Sequence, residues 1–81
     1  MSGGGPPGGT RFHLTFPEHL IDEPVVYELG KRFDVVTNIR GANVDDRFAW
    51  VILEMSGDER SVADAVAWLA ERGITVERLT E

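Results

Sequence analysis

Residues 34–55 read DVVTNIRGANVDDRFAWVILEM, and this stretch decides the fold because it contains two strands and the short turn between them. Residues 34–44 predict a strand with a bulge or bend at Gly41, and residues 47–55 predict a second strand that is apolar on both faces. Two strands joined by so short a turn must be antiparallel neighbours. On the first of them, one face carries Val35, Thr37 and Ile39, and the other carries Val36, Asn38 and Arg40.

A strand and a helix precede this hairpin. Residues 11–16 alternate with a period of two, as a strand with one buried face does, and its apolar positions are Phe12, Leu14 and Phe16. Asp22 and Glu23 followed by Pro24 predict a helix start, because acids stabilise the positive end of a helix and proline fits its first turn. The predicted buried stripe is Val26, Leu29 and Phe33.

A second helix and a last strand follow the hairpin. Ser56 and Glu59 fit a capping box at the helix start, and Asp58 is an alternative N-cap residue. Gly73 suits the position just after the helix, and residues 74–79 predict the last strand. The predicted buried stripe is Val62, Ala65, Val66 and Leu69.

The order strand, helix, strand, strand, helix, strand fixes the expected architecture. With right-handed crossovers it predicts an α+β fold, the ferredoxin-like β-α-β-β-α-β sandwich. Both helices then lie on one face of a four-stranded antiparallel sheet whose strand order is 4-1-3-2. We expect residues 10–81 to form this domain and residues 1–9, MSGGGPPGG, to form a disordered tail.

The sheet face that the helices leave uncovered is informative about function. We assign Ala49, Val51, Leu53 and Met55 to the covered face, because the small Ala49 suits a helix lying close. This leaves Phe48, Trp50 and Ile52 on the uncovered face, which is too apolar to remain in water and predicts a homodimer interface. The alternative is the opposite strand phase, in which these three residues are simply core.

Composition and side-chain chemistry exclude several classes of function. The chain has 81 residues, 8 Lys and Arg against 14 Asp and Glu, and a net charge of -6, which disfavours binding to nucleic acids and anionic membranes. It has no cysteine, no spanning apolar run and no signal-peptide pattern, so we expect a cytoplasmic protein. His13 and His19 match no metal-ligand spacing, and no acid, base or nucleophile set is present. We therefore expect no enzymatic activity, metal or cofactor.

The stretch RFDVVTNIR at residues 32–40 resembles the segment that gives the NIL domain its name, in which Arg-Phe precedes a strand carrying Asn-Ile-Leu. Supporting pieces follow in the same order as in that family. They are Leu53-Glu54-Met55 with Gly57, Ala67-Trp68-Leu69, and the closing GITVERL at residues 73–79. This chain departs from the family in having Arg40 in place of Leu, and in a shorter turn at residues 44–47.

The resemblance implies a ferredoxin-like regulatory domain related to the ligand-sensing ACT domains. NIL domains occur on the ATPases of methionine importers, where they pair across their sheets and bind methionine, and as free-standing proteins linked to sulfur metabolism. It implies that Asn38 is a ligand residue. We expect its neighbours Val36, Ile39 and Arg40 to belong to the same site. Arg40 could pair with a ligand carboxylate.

Two functions remain open from the sequence. The first is a free-standing regulatory module that dimerises and senses methionine or a related amino acid, and that is linked to transport or sulfur amino-acid metabolism. The alternative is a ligand-free interaction module that docks on a transport or sulfur-metabolism protein. In either case we expect a separate protein partner, because the sequence contains no ATPase and no cysteine for an iron–sulfur cluster.

Overall fold

The computed structural model describes residues 9–79 of the chain. Its α-helices and strands are β1 Thr10–Phe16, α1 Val25–Arg32, β2 Val36–Val44, β3 Ala49–Ser56, α2 Glu59–Glu71 and β4 Thr75–Leu79, with a short 3-10 helix at Glu18–Leu20. The strands form one antiparallel sheet in the order β2-β3-β1-β4. The α+β ferredoxin-like fold and the strand order 4-1-3-2 are confirmed. The predicted tail lies outside the described residues except for Gly9.

The core lies between the helices and one face of the sheet, and it confirms the strand phase chosen from the sequence. Leu14 of β1 and Leu53 of β3 are completely buried there, against Leu29 of α1 and Leu69 of α2. The remaining strand residues of this core are Phe12, Phe16, Ala49, Val51 and Met55. Burial of the odd-numbered residues of β3 directs the even-numbered ones to the opposite face, because successive side chains of a strand point to opposite sides.

The structure corrects two local predictions about the helices, which are the capping box of Ser56 with Glu59 and the choice of Val26 for the buried stripe of α1. Val26 is only partly buried, although it packs against the core. Asp58 is the N-cap of α2, where its carboxylate accepts a hydrogen bond of 2.8 Å from the Ser61 N–H. Ser56 instead ends β3, so the capping box with Glu59 does not form. In α1 the helix begins directly after Pro24, which makes Val25 a deeply buried partner of Leu29 four residues on.

The outer surfaces of the two helices are joined by an arginine and an aromatic pair. Arg72, which follows α2, lies 3.4 Å from a Glu23 carboxylate oxygen and 3.5 Å from one of Glu28. Its guanidinium also lies 5.2 Å from the Trp68 ring, against which Phe33 packs edge-on. These contacts hold Trp68 on the helix side of the molecule, far from the uncovered sheet face.

The turn between β2 and β3 and a bulge in β2 position the uncovered face. One Asp45 carboxylate oxygen accepts hydrogen bonds of 2.9 Å from the N–H groups of Arg47 and Phe48, which closes the turn. The pairing of β2 with β3 shifts between Ile39 and Gly41, leaving Arg40 as the extra residue. The bulge expected near Gly41 is confirmed. A bulge re-aims side chains locally, and here it directs both Arg40 and Gly41 toward the same side.

Candidate functional site

The sheet surface that no helix covers is the candidate functional site, and we call it the open face. It is formed by the strand residues that alternate with the core positions. Its members are Arg11, His13 and Thr15 of β1, Val36, Asn38, Arg40, Gly41 and Asn43 of β2, Trp50, Ile52, Glu54 and Ser56 of β3, and Thr75, Glu77 and Leu79 of β4, with Phe48 just before β3.

One half of the open face is aromatic and apolar. The His13 imidazole stacks on the Trp50 ring, with 5.5 Å between ring centroids and 23° between planes. Ile52 lies next to Trp50 on the same strand, and Gly41 faces both residues from β2. A β-carbon placed on Gly41 would lie 3.7 Å from the Trp50 ring and 3.9 Å from Ile52, so glycine leaves the indole uncovered on this side. The result is a flat, partly exposed apolar floor.

The other half of the open face is charged and centres on Glu54. One carboxylate oxygen, Oε1, lies 2.6 Å from the Arg40 Nε and 3.5 Å from the Arg11 Nε. The second oxygen, Oε2, accepts a hydrogen bond of 2.9 Å from the Gly9 N–H. Both arginine side chains stay about half exposed, whereas the Glu54 side chain is 8 % exposed. The cluster therefore surrounds a buried carboxylate with two solvent-facing cations.

These contacts lower the pKa of the Glu54 carboxyl below its usual range. The largest cause is the Arg40 hydrogen bond, and the Gly9 hydrogen bond and the two positive charges act in the same direction. They outweigh desolvation, which raises the pKa of a buried carboxyl. Glu54 is therefore a carboxylate at neutral pH and is available to hold a cation.

Strand register explains why these side chains meet. Asn38 on β2 and Arg11 on β1 are the direct cross-strand partners of Glu54, so the three residues form one row across the sheet. Arg40 joins the row only because of the bulge, which frees its backbone from the regular pairing. Side chains directly opposite each other on neighbouring strands lie within contact distance. The row brings one amide, one carboxylate and two guanidinium groups together.

The structure gathers most of the sequence-predicted site residues on the open face, but not all of them. Asn38 and Arg40 lie beside Glu54, and Val36 lies on the same face with 64 % of its surface exposed. Ile39 pairs with the buried Leu53 and therefore lies on the helix side of the sheet, away from the other three. The predicted interface residues Phe48, Trp50 and Ile52 share the open face with Asn38.

Comparison with protein families identifies the domain. Residues 10–78 match the family model described as the NIL domain, which covers nearly all of the described residues. The chain belongs to the NIL domain family. The resemblance first suggested by the segment around Asn38 is therefore confirmed over the whole domain.

This NIL domain is similar to part of several larger proteins. It is 36 % identical over 70 residues to the methionine import ATP-binding protein MetN of Sodalis glossinidius, and 34 % identical over 70 residues to that of Escherichia coli K12. Each match covers 82 % of this chain but 20 % of the relative, so the chain spans about one fifth of the length of these curated relatives.

A solved structure shares the fold. The C-terminal domain of an ABC transporter ATP-binding protein from Enterococcus faecalis superposes with a TM-score of 0.79, covering 93 % of this chain and 88 % of that one. The sequence identity is 16 %, so this likeness concerns the fold alone.

Three residues of the open face escaped sequence reasoning: Glu54, Arg11 and His13. One signal was present for Glu54, since a charged residue between Leu53 and Met55 interrupts an apolar strand. Its partner Arg11 could be found only through the register of β1 against β3, and the stacking of His13 only through its diagonal position to Trp50. Long-range register was therefore the missing information.

The structure also has clefts on the helix side of the sheet. One of about 210 Å³ lies between Pro24 and Val44 and is mostly apolar. Another of about 820 Å³ lies beside α2 and includes Met55 and Arg78. Neither contains Asn38 or Arg40. Within residues 9–79 no group of three or more His, Cys, Asp or Glu side chains is placed to hold a metal ion.

Proposed function

We propose that this NIL domain is a regulatory module that binds a small amino acid, methionine or a sulfur-containing relative, on its open face. The observation that carries the proposal is the position of Asn38 and Arg40 on an exposed sheet face beside the Trp50 floor. Asn38 offers both a hydrogen-bond acceptor and a donor, and Arg40 offers a fixed cation. Such a surface has groups for both ends of an amino acid.

The chemistry of methionine suits the two halves of the open face. A zwitterionic head group needs hydrogen-bonding and charged partners, while its side chain needs an apolar slot. Trp50 and Phe48 would line that slot, since a thioether makes favourable contacts with aromatic rings. Val36 pairs with Ser56 at the other end of β3, six residues from Trp50, so it lies too far away to share the slot. Ile39 lies on the other side of the sheet and would not contact the ligand.

The identity of the ligand is supported by the relatives. The proteins from Sodalis glossinidius and Escherichia coli are both named as methionine import ATP-binding proteins. This chain corresponds to about one fifth of each of them, and we propose that the domain carries a sensing function. An ATP-binding transport protein is the partner we favour, which would place the module in the cytoplasm.

We also propose that two copies of the domain pair through their open faces. Phe48 is 47 % exposed and lies two residues from the partly exposed Trp50, and Val36 at the other end of β2 is 64 % exposed. A second copy related by a two-fold axis would bury these side chains and enclose a ligand between the sheets.

Among residues 9–79, no helix is long and apolar enough to cross a membrane.

The same exposed apolar side chains favour a second candidate function, a ligand-free interaction module. In that case Phe48, Trp50 and Ile52 would dock on a transport or sulfur-metabolism protein, and Asn38 would be an ordinary surface residue. The two functions differ in one measurable respect, since only the sensor binds an amino acid without a protein partner.

Calorimetry with L-methionine tests the proposal. We expect the wild type to bind and Asn38→Ala to bind at least about tenfold more weakly, because a hydrogen bond to a charged head group is lost. Thr37→Ala is the control, since Thr37 is the neighbour of Asn38 on β2 but pairs with the buried Met55 and points to the covered face. It should bind like the wild type. Absence of binding by wild type at millimolar methionine would favour the interaction module.

A further inference from the structure

Glu54 is an unusual residue for the open face, because it is a buried carboxylate on a surface that no helix covers. It is 6 % exposed and is the one charged residue that is buried within residues 9–79. A carboxylate is costly to bury unless it is paired and hydrogen-bonded. The partners of Glu54 are Arg40, Arg11 and the Gly9 N–H, and each approaches from a different part of the chain.

The two oxygens of Glu54 are held in different ways. Oε2 accepts the Gly9 N–H, a main-chain donor on the segment that leads into the central strand β1. A side chain at Gly9 would collide with the Met55 carbonyl, so glycine permits this close approach. Oε1 is contacted by both arginines, with the Arg40 Nε at 2.6 Å and the Arg11 Nε at 3.5 Å. One oxygen is thus held by the main chain, and the other is held by half-exposed arginine side chains.

Arg40 is the partner that can leave most easily. It is the extra residue of the bulge in β2, which is an outer strand of the sheet, and its side chain is 49 % exposed. A guanidinium has five N–H donors, and Arg40 uses the Nε–H to bind Glu54, which leaves other N–H groups for a ligand. Rotation of the Arg40 side chain toward another carboxylate would leave the ladder of the sheet intact.

We propose that the Arg40–Glu54 ion pair is the resting state of an amino-acid clamp, which a ligand opens by placing its α-ammonium on Glu54 and its α-carboxylate on Arg40. The proposal rests on the proposed function and deepens it by naming Glu54 and Arg40 as the partners of the two charges of the ligand. Arg11 and the Gly9 N–H hold Glu54 in place during the exchange. Asn38, directly opposite Glu54, lies beside both ends of the head group.

Charge matching supports this assignment over recognition by Asn38 alone. A zwitterion presents a cation and an anion on one carbon atom, and Glu54 with Arg40 presents the opposite pair within 2.6 Å. Each new contact replaces one charge-assisted hydrogen bond by another of the same kind, so no buried charge loses its partner. The clamp therefore discriminates against carboxylic acids that lack the ammonium group, because Glu54 gains nothing from them.

A ligand series tests the clamp without any mutation. Calorimetry is carried out on the wild type with three ligands. L-methionine carries both charges, N-acetyl-L-methionine carries only the carboxylate, and L-methioninamide carries only the ammonium. We expect L-methionine to bind at least about tenfold more tightly than either analogue, because each analogue loses a charge-assisted hydrogen bond. Equal affinity for L-methionine and its N-acetyl derivative would overturn the clamp and would leave the proposed function standing.

Variants separate the two charges. Glu54→Gln should weaken L-methionine about tenfold and leave N-acetyl-L-methionine unchanged or tighter, because Arg40 is then free. Arg40→Leu should weaken both carboxylate-bearing ligands and leave L-methioninamide unchanged. Glu71→Gln, which alters an exposed acid on α2 outside the open face, is the control and should leave all three affinities unchanged.

Two further outcomes are decisive. If Glu54→Gln does not fold, the experiment uses Glu54→Asp, which keeps the negative charge. This variant should retain the preference for L-methionine over N-acetyl-L-methionine. Loss of that preference in the folded Asp variant, or an unchanged preference in folded Glu54→Gln, would overturn the clamp. If the wild type binds none of the three compounds, the proposed function fails, and the clamp fails with it.

Discussion

The covered face and the open face are built from alternate residues of the same strands, yet they use these residues for different purposes. On the covered face, Leu14 and Leu53 are fully buried between sheet and helices. On the open face, Trp50 and Ile52 are partly exposed, and Glu54 is buried only by side chains and by the main chain at Gly9. The covered face of this NIL domain is therefore packed into the core, whereas the open face leaves apolar and polar side chains accessible to solvent.

Introducing a charge into each face should give the largest contrast. Val51→Glu places a carboxylate in the core and should unfold the chain, because an unpaired buried charge costs about as much as the whole stability of a small domain. Trp50→Glu, one residue earlier, should stay folded and become a monomer, since the charge would lie in the contact between copies. Circular dichroism and sedimentation check both variants. Unfolding of Trp50→Glu would assign Trp50 to the core and contradict the comparison.

Truncation of neighbouring apolar residues should give a smaller contrast of the same sign. Leu53→Ala should lower the free energy of unfolding by about 2–5 kcal/mol, because it leaves a cavity in a fully buried position. Ile52→Ala should lower it by about 1 kcal/mol, as expected for a partly exposed side chain. Urea denaturation at a concentration where the protein is monomeric measures both values. Equal losses would show that the two faces contribute alike to folding.

Acid should affect the open face through Glu54. Since its pKa is lower in the folded chain, the contacts of its carboxylate stabilise the fold fully above the unfolded value of about 4.3, and this contribution is lost as the pH falls through the folded pKa. The wild type should therefore lose more thermal stability between about pH 5 and 3 than Glu54→Gln does. Melting curves at several pH values check this, with Glu77→Gln as control. Identical acid profiles for the wild type and Glu54→Gln would remove Glu54 from the stabilising network.

The smallest expected effect is a gain of stability on the helix side. Gly30 lies exposed within α1, and a β-carbon added there would have no atom within 4 Å. Gly30→Ala should stabilise the fold by about 0.5–1 kcal/mol, since alanine favours helix and restricts the unfolded chain. Thermal denaturation and calorimetry should show the gain with an unchanged affinity for L-methionine. A changed affinity would mean that the helix layer and the open face are coupled.

The fold was predictable because its signals are local and agree with one another. The hairpin at residues 34–55, the alternation of β1 and the apolar stripes of the helices each point to the same topology. Small Ala49 was enough to set the phase of β3, which the buried residues confirm. Helix starts were less predictable, because Ser56 and Asp58 are both good capping residues and only the length of β3 decides between them.

The candidate site was predictable only in part. Asn38 and Arg40 could be found from the segment that resembles the NIL motif, and Trp50 from the strand phase. The Glu54 cluster depends on cross-strand register, on the bulge at Arg40 and on a contact from Gly9, which lies 45 residues away in sequence. Ile39 shows the opposite problem, since it belongs to the motif but points to the other side of the sheet.

The central claim is that the open face, and not the helix side, receives the ligand, and the two tryptophans allow a direct test. Trp50 lies on the open face, whereas Trp68 lies against Phe33 and Arg72 on the helix side. In a titration of ¹⁵N-labelled protein with L-methionine, we predict that the indole signal of Trp50 and the side-chain amide signals of Asn38 shift together, while the indole signal of Trp68 stays in place. A shift of Trp68 without Trp50, or saturation of binding with no change at Trp50 and Asn38, would contradict the account.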